Sequence, residues 1–324
     1  MIGDGMGLNQ VYAAYTVAKG NLNLEKAEYI GLSKTSSANK YETDSGAGGT
    51  ALATGEKTMD NYIGLDIYKQ PLKSILEIAE ENNLSTGMVV TCSMTHATPA
   101  SFIAHQPSRY MYGAIAKDFI DSGIDIFIGG GKSHFEDSSD VNVLDELRAK
   151  NYKIVGRLED IDPSDSSNIG CIMAVDALPK MSEGRGNYLP DATKIALEKL
   201  SRNENGFFIM IEGSQIDWGG HDNDFDYLVS EVLDFDKAVG EAFAFADKNP
   251  GTLVIVTADH ETGGLTITDG DLQTGEIEVH FSTGYHTGVM VPVYAYGTGA
   301  EIFSGIYENT EIFHKIMELY SFED

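Results

Sequence analysis

Residues 252–264 read TLVIVTADHETGG, an apolar, β-branched run that ends in an aspartate and a histidine side by side. Such a run fits a strand buried on both faces, as in a parallel sheet. Asp259 and His260 then fall where the strand emerges, and open α/β sheets bind ligands outside the carboxyl ends of their strands. The plain alternative is a turn aspartate beside a satisfied loop histidine. The two readings are separated only by what the rest of the chain brings to the same edge.

The pattern on either side alternates. PLKSILEIAEENN (71–83), VNVLDELRAKN (141–151) and residues 224–248, with Leu228, Val232, Phe235, Val239 and Phe243, carry helical spacing. TGMVVTC (86–92), IDIFIGGG (124–131), GFFIMIEG (206–213) and the late VMVPVYAYG read as strands, and a last helix lies near 311–319. This βαβα order predicts an α/β fold, a three-layer α/β/α sandwich with a large, mostly parallel central sheet. With no repeat or low-complexity linker, residues 1–324 read as a single domain, with an irregular insertion around 156–190. Only two apolar residues precede Gly3 in the opening MIGDGMG. The strand expected to lead into that turn is nearly absent, which leaves room for Met1 as an internal methionine of a longer chain.

Composition narrows the function. With 42% hydrophobic residues, 324 residues bury a sizeable core. No run approaches the ~20 apolar residues of a membrane span, and no signal peptide is visible. A net charge of −28 repels nucleic acid and anionic membranes and predicts an acidic surface. It does not exclude an anionic substrate, because bound metal ions invert the local sign. Cys92 and Cys171 lie in apolar runs and read as buried free thiols.

Five segments repeat one grammar: a strand end or helix start, small residues, then metal-type ligands. In IGDGMG, Asp4 sits between glycines. In TDSGAGGTALATG (43–55), Ser45 follows Asp44; if a helix begins there, Ser45 sits at its positive end, where anions bind and an alkoxide forms more easily. An N-cap before a flexible loop is the plain alternative. In SMTHATPASFIAHQPSR (93–109), His96 and Thr98 fall at a strand exit and Arg109, one of five arginines, suits a phosphate fork. In IEGSQIDWGGHDND (211–224), Glu212, Asp217 and His221 follow a buried strand, and Trp218-Gly219-Gly220 argues for a loop. Asp259, His260 and, in FSTGYHTG, His286 complete the set, whereas His105, His134, His280 and His314 read as packing or surface residues. Histidine and carboxylate ligands suit zinc and all-oxygen sets suit magnesium. Two such ions a few ångströms apart serve phosphoryl transfer.

IGDGMG, TDSGAGGTA, THATPASFIAHQPSR, EGSQIDWGGHDND, TADHETGG and YHTG, in that order, resemble alkaline phosphatase through nearly the whole chain. The resemblance implies metal-dependent hydrolysis of phosphate monoesters at alkaline pH, with Ser45 as the nucleophile that becomes phosphoserine. It implies one zinc on Asp217, His221 and His286, and a second on Asp4, Asp259, His260 and the Ser45 oxygen. A magnesium would take Asp4, Thr98 and Glu212. Arg109 would grip phosphate, steadied by Asp44, with His96 and Trp218 beside it. Those two stand where the best-known bacterial members carry aspartate and lysine, which leaves the identity of the third metal open between magnesium and zinc. The resemblance further implies a homodimer and a periplasmic or secreted location. The alternatives are a phosphodiesterase of the same superfamily and a metal- or phosphate-binding protein without turnover. A sulfatase lacks support, because Ser45 is not in a C/S-x-P-x-R setting.

Overall fold

A computed structural model describes residues 1–136 and 141–322. Its strands are β1 (Ile2–Gly3), β2 (Tyr29–Lys34), β3 (Ser85–Ser93), β4 (Ile126–Gly130), β5 (Lys153–Val155), β6 (Ile169–Ile172), β7 (Phe207–Gly213), β8 (Leu253–Val256), β9 (Glu261–Thr262), β10 (Leu265–Asp271), β11 (Glu276–Phe281), β12 (His286–Thr287), β13 (Val291–Gly297) and β14 (Gly305–Glu308). Its helices are α1 (Leu8–Val17), α2 (Ser45–Thr54), α3 (Ile75–Glu81), α4 (Ala97–Ala100), α5 (Tyr112–Asp118), α6 (Lys132–Glu136), α7 (Val143–Ala149), α8 (Tyr188–Leu200), α9 (Gln215–His221), α10 (Phe225–Lys248) and α11 (Thr310–Tyr320).

Six strands form a parallel sheet in the order β1-β7-β3-β4-β6-β5, and four more follow the order β14-β2-β13-β8. A parallel bridge between Ile2 and Thr257 joins them into one surface, with Gly3 N donating to Thr257 O at 2.9 Å and Thr257 N to Met1 O at 3.0 Å. Only β13 runs against the rest. Successive residues of β3 face opposite ways, as the pleat requires. Met88 and Val90 enter one core with α2, α3, α7 and α11, while Val89 enters the other with α1, α8 and α10. The sandwich expected from the alternating pattern is therefore present, with both sheet faces covered. No helix among the described residues is long and apolar enough to cross a membrane.

Two local expectations need correction. Residues 215–221 form a helix, α9, despite Gly219 and Gly220. A Cβ at Gly219 would lie 2.6 Å from Leu228 Cα, and one at Gly220 2.9 Å from Thr262 O, so these glycines let the helix seat against α10 and β9. The stretch 156–190 is not an insertion throughout, because β6 crosses it and pairs with both β4 and β5. Four residues between polar loops are too few to show a period. The strand before Asp4 exists but is two residues long, held between β7 and Thr257. Residues 265–281, unassigned from the sequence, form the β10–β11 hairpin outside the main sheet.

Candidate active site

The strand ends converge as the opening run implied. β1 delivers Asp4, β3 leads into His96 and Thr98, β7 carries Glu212 and leads into α9, and β8 is followed by Asp259 and His260. Asp217 and His221 lie four residues apart on α9, hence on one helix face. Ser45 is the first residue of α2 and is buried. Asp44 caps this helix, accepting from Ala47 N at 3.1 Å, so Ser45 sits at the positive end of the α2 dipole. The small residues of α2 allow close packing: a Cβ at Gly49 would lie 3.0 Å from Ser101 Oγ and 3.4 Å from Thr98 Cα.

Three groups of ligand atoms form, each within 4.8 Å: Asp217, His221 and His286; Asp4, Asp259 and His260; and Cys92, His96 and Glu212. His260 Nε2 lies 3.3 Å from Ser45 Oγ, 3.2 Å from Asp259 Oδ2 and 3.5 Å from Asp4 Oδ1. In the first group, Asp217 Oδ1 is 3.4 Å from His221 Nε2 and 3.5 Å from His286 Nε2. The far nitrogens of these rings are occupied. His221 Nδ1 meets Gly284 O at 2.9 Å and His286 Nδ1 meets Thr43 O at 2.6 Å. That arrangement orients both Nε2 atoms toward a shared point, as metal-ligating imidazoles require.

The electrostatics call for cations. Asp4, Glu212, Asp217 and Asp259 are all buried. Both Asp4 carboxylate oxygens and Asp259 Oδ2 accept no hydrogen bond. Burial first, then the neighbouring carboxylates, raises Asp4 well above the usual carboxylate range. Burial also pushes Glu212 to about 7 and Asp259 to about 6. Asp217 is also buried but is held below the usual range by the imidazoles around it. Buried, mutually repelling carboxylates with free lone pairs fit divalent cations, and the mixed imidazole and carboxylate sets suit zinc.

Arg109 lies beside this centre. Its NH1 donates to Asp44 Oδ2 at 2.8 Å, and its NH2 is 3.4 Å from His96 Nε2. Burial and the Arg109 charge push His96 down to about 3, so its ring is neutral at physiological pH. Trp218 meets His96 edge-on, with ring centroids 6.0 Å apart. Thr98 is buried on α4 and its hydroxyl faces Glu212. Every residue proposed from the sequence thus reaches one region. Sequence reasoning missed Cys92 as a neighbour of this site; its Sγ lies 3.4 Å from Glu212 Oε2. It also missed His134, which stacks on Tyr112 at 4.5 Å. His134 and Asp176 line a cavity of about 260 Å³ with His96 and Trp218. No spacing signal marks His134 or Asp176, since they reach the cavity from separate segments, the short helix α6 and a loop; for Cys92, its place in the strand that leads into His96 was the available cue.

Comparison with known proteins agrees with the geometry. The family model for alkaline phosphatase matches residues 1–277. Alkaline phosphatase 3 of Bacillus subtilis is 34% identical, over 96% of this chain and 86% of its own length. The alkaline phosphatase of Escherichia coli is 28% identical, over 97% of this chain and 83% of its own. The solved alkaline phosphatase of the Antarctic bacterium TAB5 superposes with a TM-score of 0.95 at 45% identity, covering 100% of this chain and 97% of that one. A mutant of that enzyme has been solved with Mg bound in its M3 site. With the family model matched over most of its length and a relative above 30% identity across nearly all of it, the chain belongs to the alkaline phosphatase family and is a metal-binding phosphate monoester hydrolase.

Proposed function

We propose that Ser45 is the nucleophile of a double-displacement phosphatase. The carrying observation is its hydroxyl at the amino end of α2, 3.3 Å from His260 in one ligand cluster, with Asp44 tying Arg109 to the same turn. Asp217, His221 and His286 would hold one zinc, and Asp4, Asp259 and His260 with the Ser45 oxygen a second. A magnesium would take Asp4, Thr98 and Glu212, with His96 and Cys92 beside it. Divalent cations bound there lower the pKa of a hydroxyl or water and offset charge on the transferring oxygens.

The chain's own groups do the rest. The helix dipole and free amides of α2 stabilise negative charge on Ser45 Oγ. Oγ attacks phosphorus in line, the Oγ–P bond forms, and the ester P–O bond breaks to release the alcohol. Arg109 binds two non-bridging oxygens as a fork and keeps its orientation through Asp44. His96 is neutral and Trp218 uncharged, so Arg109 is the fixed side-chain cation at the phosphate. Water then attacks phosphoserine from the opposite side, the P–Oγ bond breaks, and Ser45 is restored. Two inversions retain configuration at phosphorus. The family likeness also supports a homodimer and a place outside the cytoplasm.

Incubation with labelled inorganic phosphate at acidic pH, then denaturation, should trap label on the wild-type chain. Ser45→Ala should give no label and near-background turnover of p-nitrophenyl phosphate while still binding zinc. Label or turnover persisting in Ser45→Ala would overturn the assignment. A wild-type chain that binds zinc and phosphate but yields neither would indicate a binder without turnover.

A further inference from the structure

The cluster of Asp217, His221 and His286 is closed on most sides and open on one. Asp217 and His286 are buried, whereas the His221 side chain is 32% exposed. On that open side stands Tyr285, 46% exposed. Its ring is stacked on His286 at 4.6 Å and 14°, and its centroid is 5.9 Å from that of His221. The His286 ring is in turn stacked on His260 at 3.6 Å and 19°, and His260 touches Ser45. A run of near-parallel rings therefore leads from the proposed nucleophile out to solvent. Tyr41, 79% exposed, borders the same strand pair: a Cβ at Gly288 would lie 2.4 Å from its ring carbons. Lys40, next in sequence to Tyr41, pairs with Asp60 at 2.7 Å.

In-line attack places the leaving oxygen opposite Ser45 Oγ. Ser45 contacts His260 in the cluster of Asp4, Asp259 and His260, so in that geometry the departing alcohol points toward Asp217, His221 and His286, the last of which carries the Tyr285 ring on its face. An exposed ring held flat and fixed by stacking offers a planar apolar surface at that exit. We propose that Tyr285 is a specificity-determining residue that favours phosphate monoesters of planar aromatic alcohols over those of small aliphatic ones. This rests on the reading of Ser45 as nucleophile.

The test compares phenyl phosphate with glycerol 2-phosphate on the holoenzyme and its Tyr285→Leu and Tyr285→Phe variants. Loss of one aromatic stacking partner corresponds to roughly 2- to 10-fold. Tyr285→Leu should lower kcat/KM for phenyl phosphate by about that factor, through KM, and change glycerol 2-phosphate less than about twofold. Tyr285→Phe should restore the preference. Calorimetric binding of phenylphosphonate, which cannot be hydrolysed, should weaken in Tyr285→Leu, while methylphosphonate binding should hold, at unchanged zinc content. Equal losses for both substrates and both phosphonates, or no loss for either, would overturn the proposal. If Ser45→Ala abolishes turnover of both substrates while Tyr285→Leu leaves their ratio unchanged, only the aromatic preference fails. If Ser45→Ala stays active, the underlying reading fails first.

Discussion

At the scale of single residues, charge geometry separates side chains that share a sign. Arg109 engages Asp44 through NH1 at 2.8 Å and lies 3.4 Å from His96 through NH2, and its planar fork carries further donors that suit a phosphate. Lysine at 109 keeps the charge and loses the fork. A charge-assisted hydrogen bond contributes about 1.5–3 kcal/mol, so Arg109→Lys should reduce kcat/KM by roughly 10- to 100-fold in steady-state assays; an unchanged value would place the phosphate elsewhere. Far from the site, Glu80 is pushed up to about 7, by burial first and then by Asp125, against a hydrogen bond from Thr86. A carboxyl whose folded pKa lies above its unfolded one loses stability as pH rises between the two, and the full loss persists above pH 7. Glu80→Gln should therefore raise Tm at pH 8 and give almost no gain near pH 4.5. An equal gain at both would attribute the effect to packing. The ligands were legible because aspartate, histidine and serine stood beside glycines at strand exits. Cys92 was legible only as a buried thiol, since the identity of its neighbour Glu212 is decided by the pairing of β3 with β7.

At the scale of elements, long periodic stretches were readable because their period reports burial directly. The helix expected from 224 appears as α10, and Asp224 caps it by accepting from Tyr227 N at 3.1 Å. The strand expected at 86–92 spans 85–93. α9 was not readable. Its glycines argue against a helix by propensity, and tertiary packing overrides them: the absent Cβ atoms are what bring α9 against α10 and β9. Gly219→Ala tests that account. The added methyl meets backbone at Leu228, so α9 must move, and overpacking of this kind costs about 1–3 kcal/mol. Because α9 carries both Asp217 and His221, zinc affinity should fall along with Tm in Gly219→Ala. A lowered Tm with unchanged zinc titration would mean that the helix yields without moving its ligands.

At the scale of the whole molecule, the weakest join in the sheet lies next to its most demanding residue. β1 contacts β7 only at Glu212 and Gly213, and β8 only through Thr257. Asp4 follows β1 directly and is anchored there by its own N–H on Gly213 O at 3.3 Å, so its position depends on this short pairing. Ile2 is buried where it pairs with Glu212 on one side and Thr257 on the other, and truncating a buried isoleucine to alanine costs about 2–5 kcal/mol. Ile2→Ala should therefore lower Tm and weaken zinc binding together, read by calorimetry and by zinc titration. A lower Tm with an unchanged zinc isotherm would show that Asp4 owes its position to the turn at Gly5 alone.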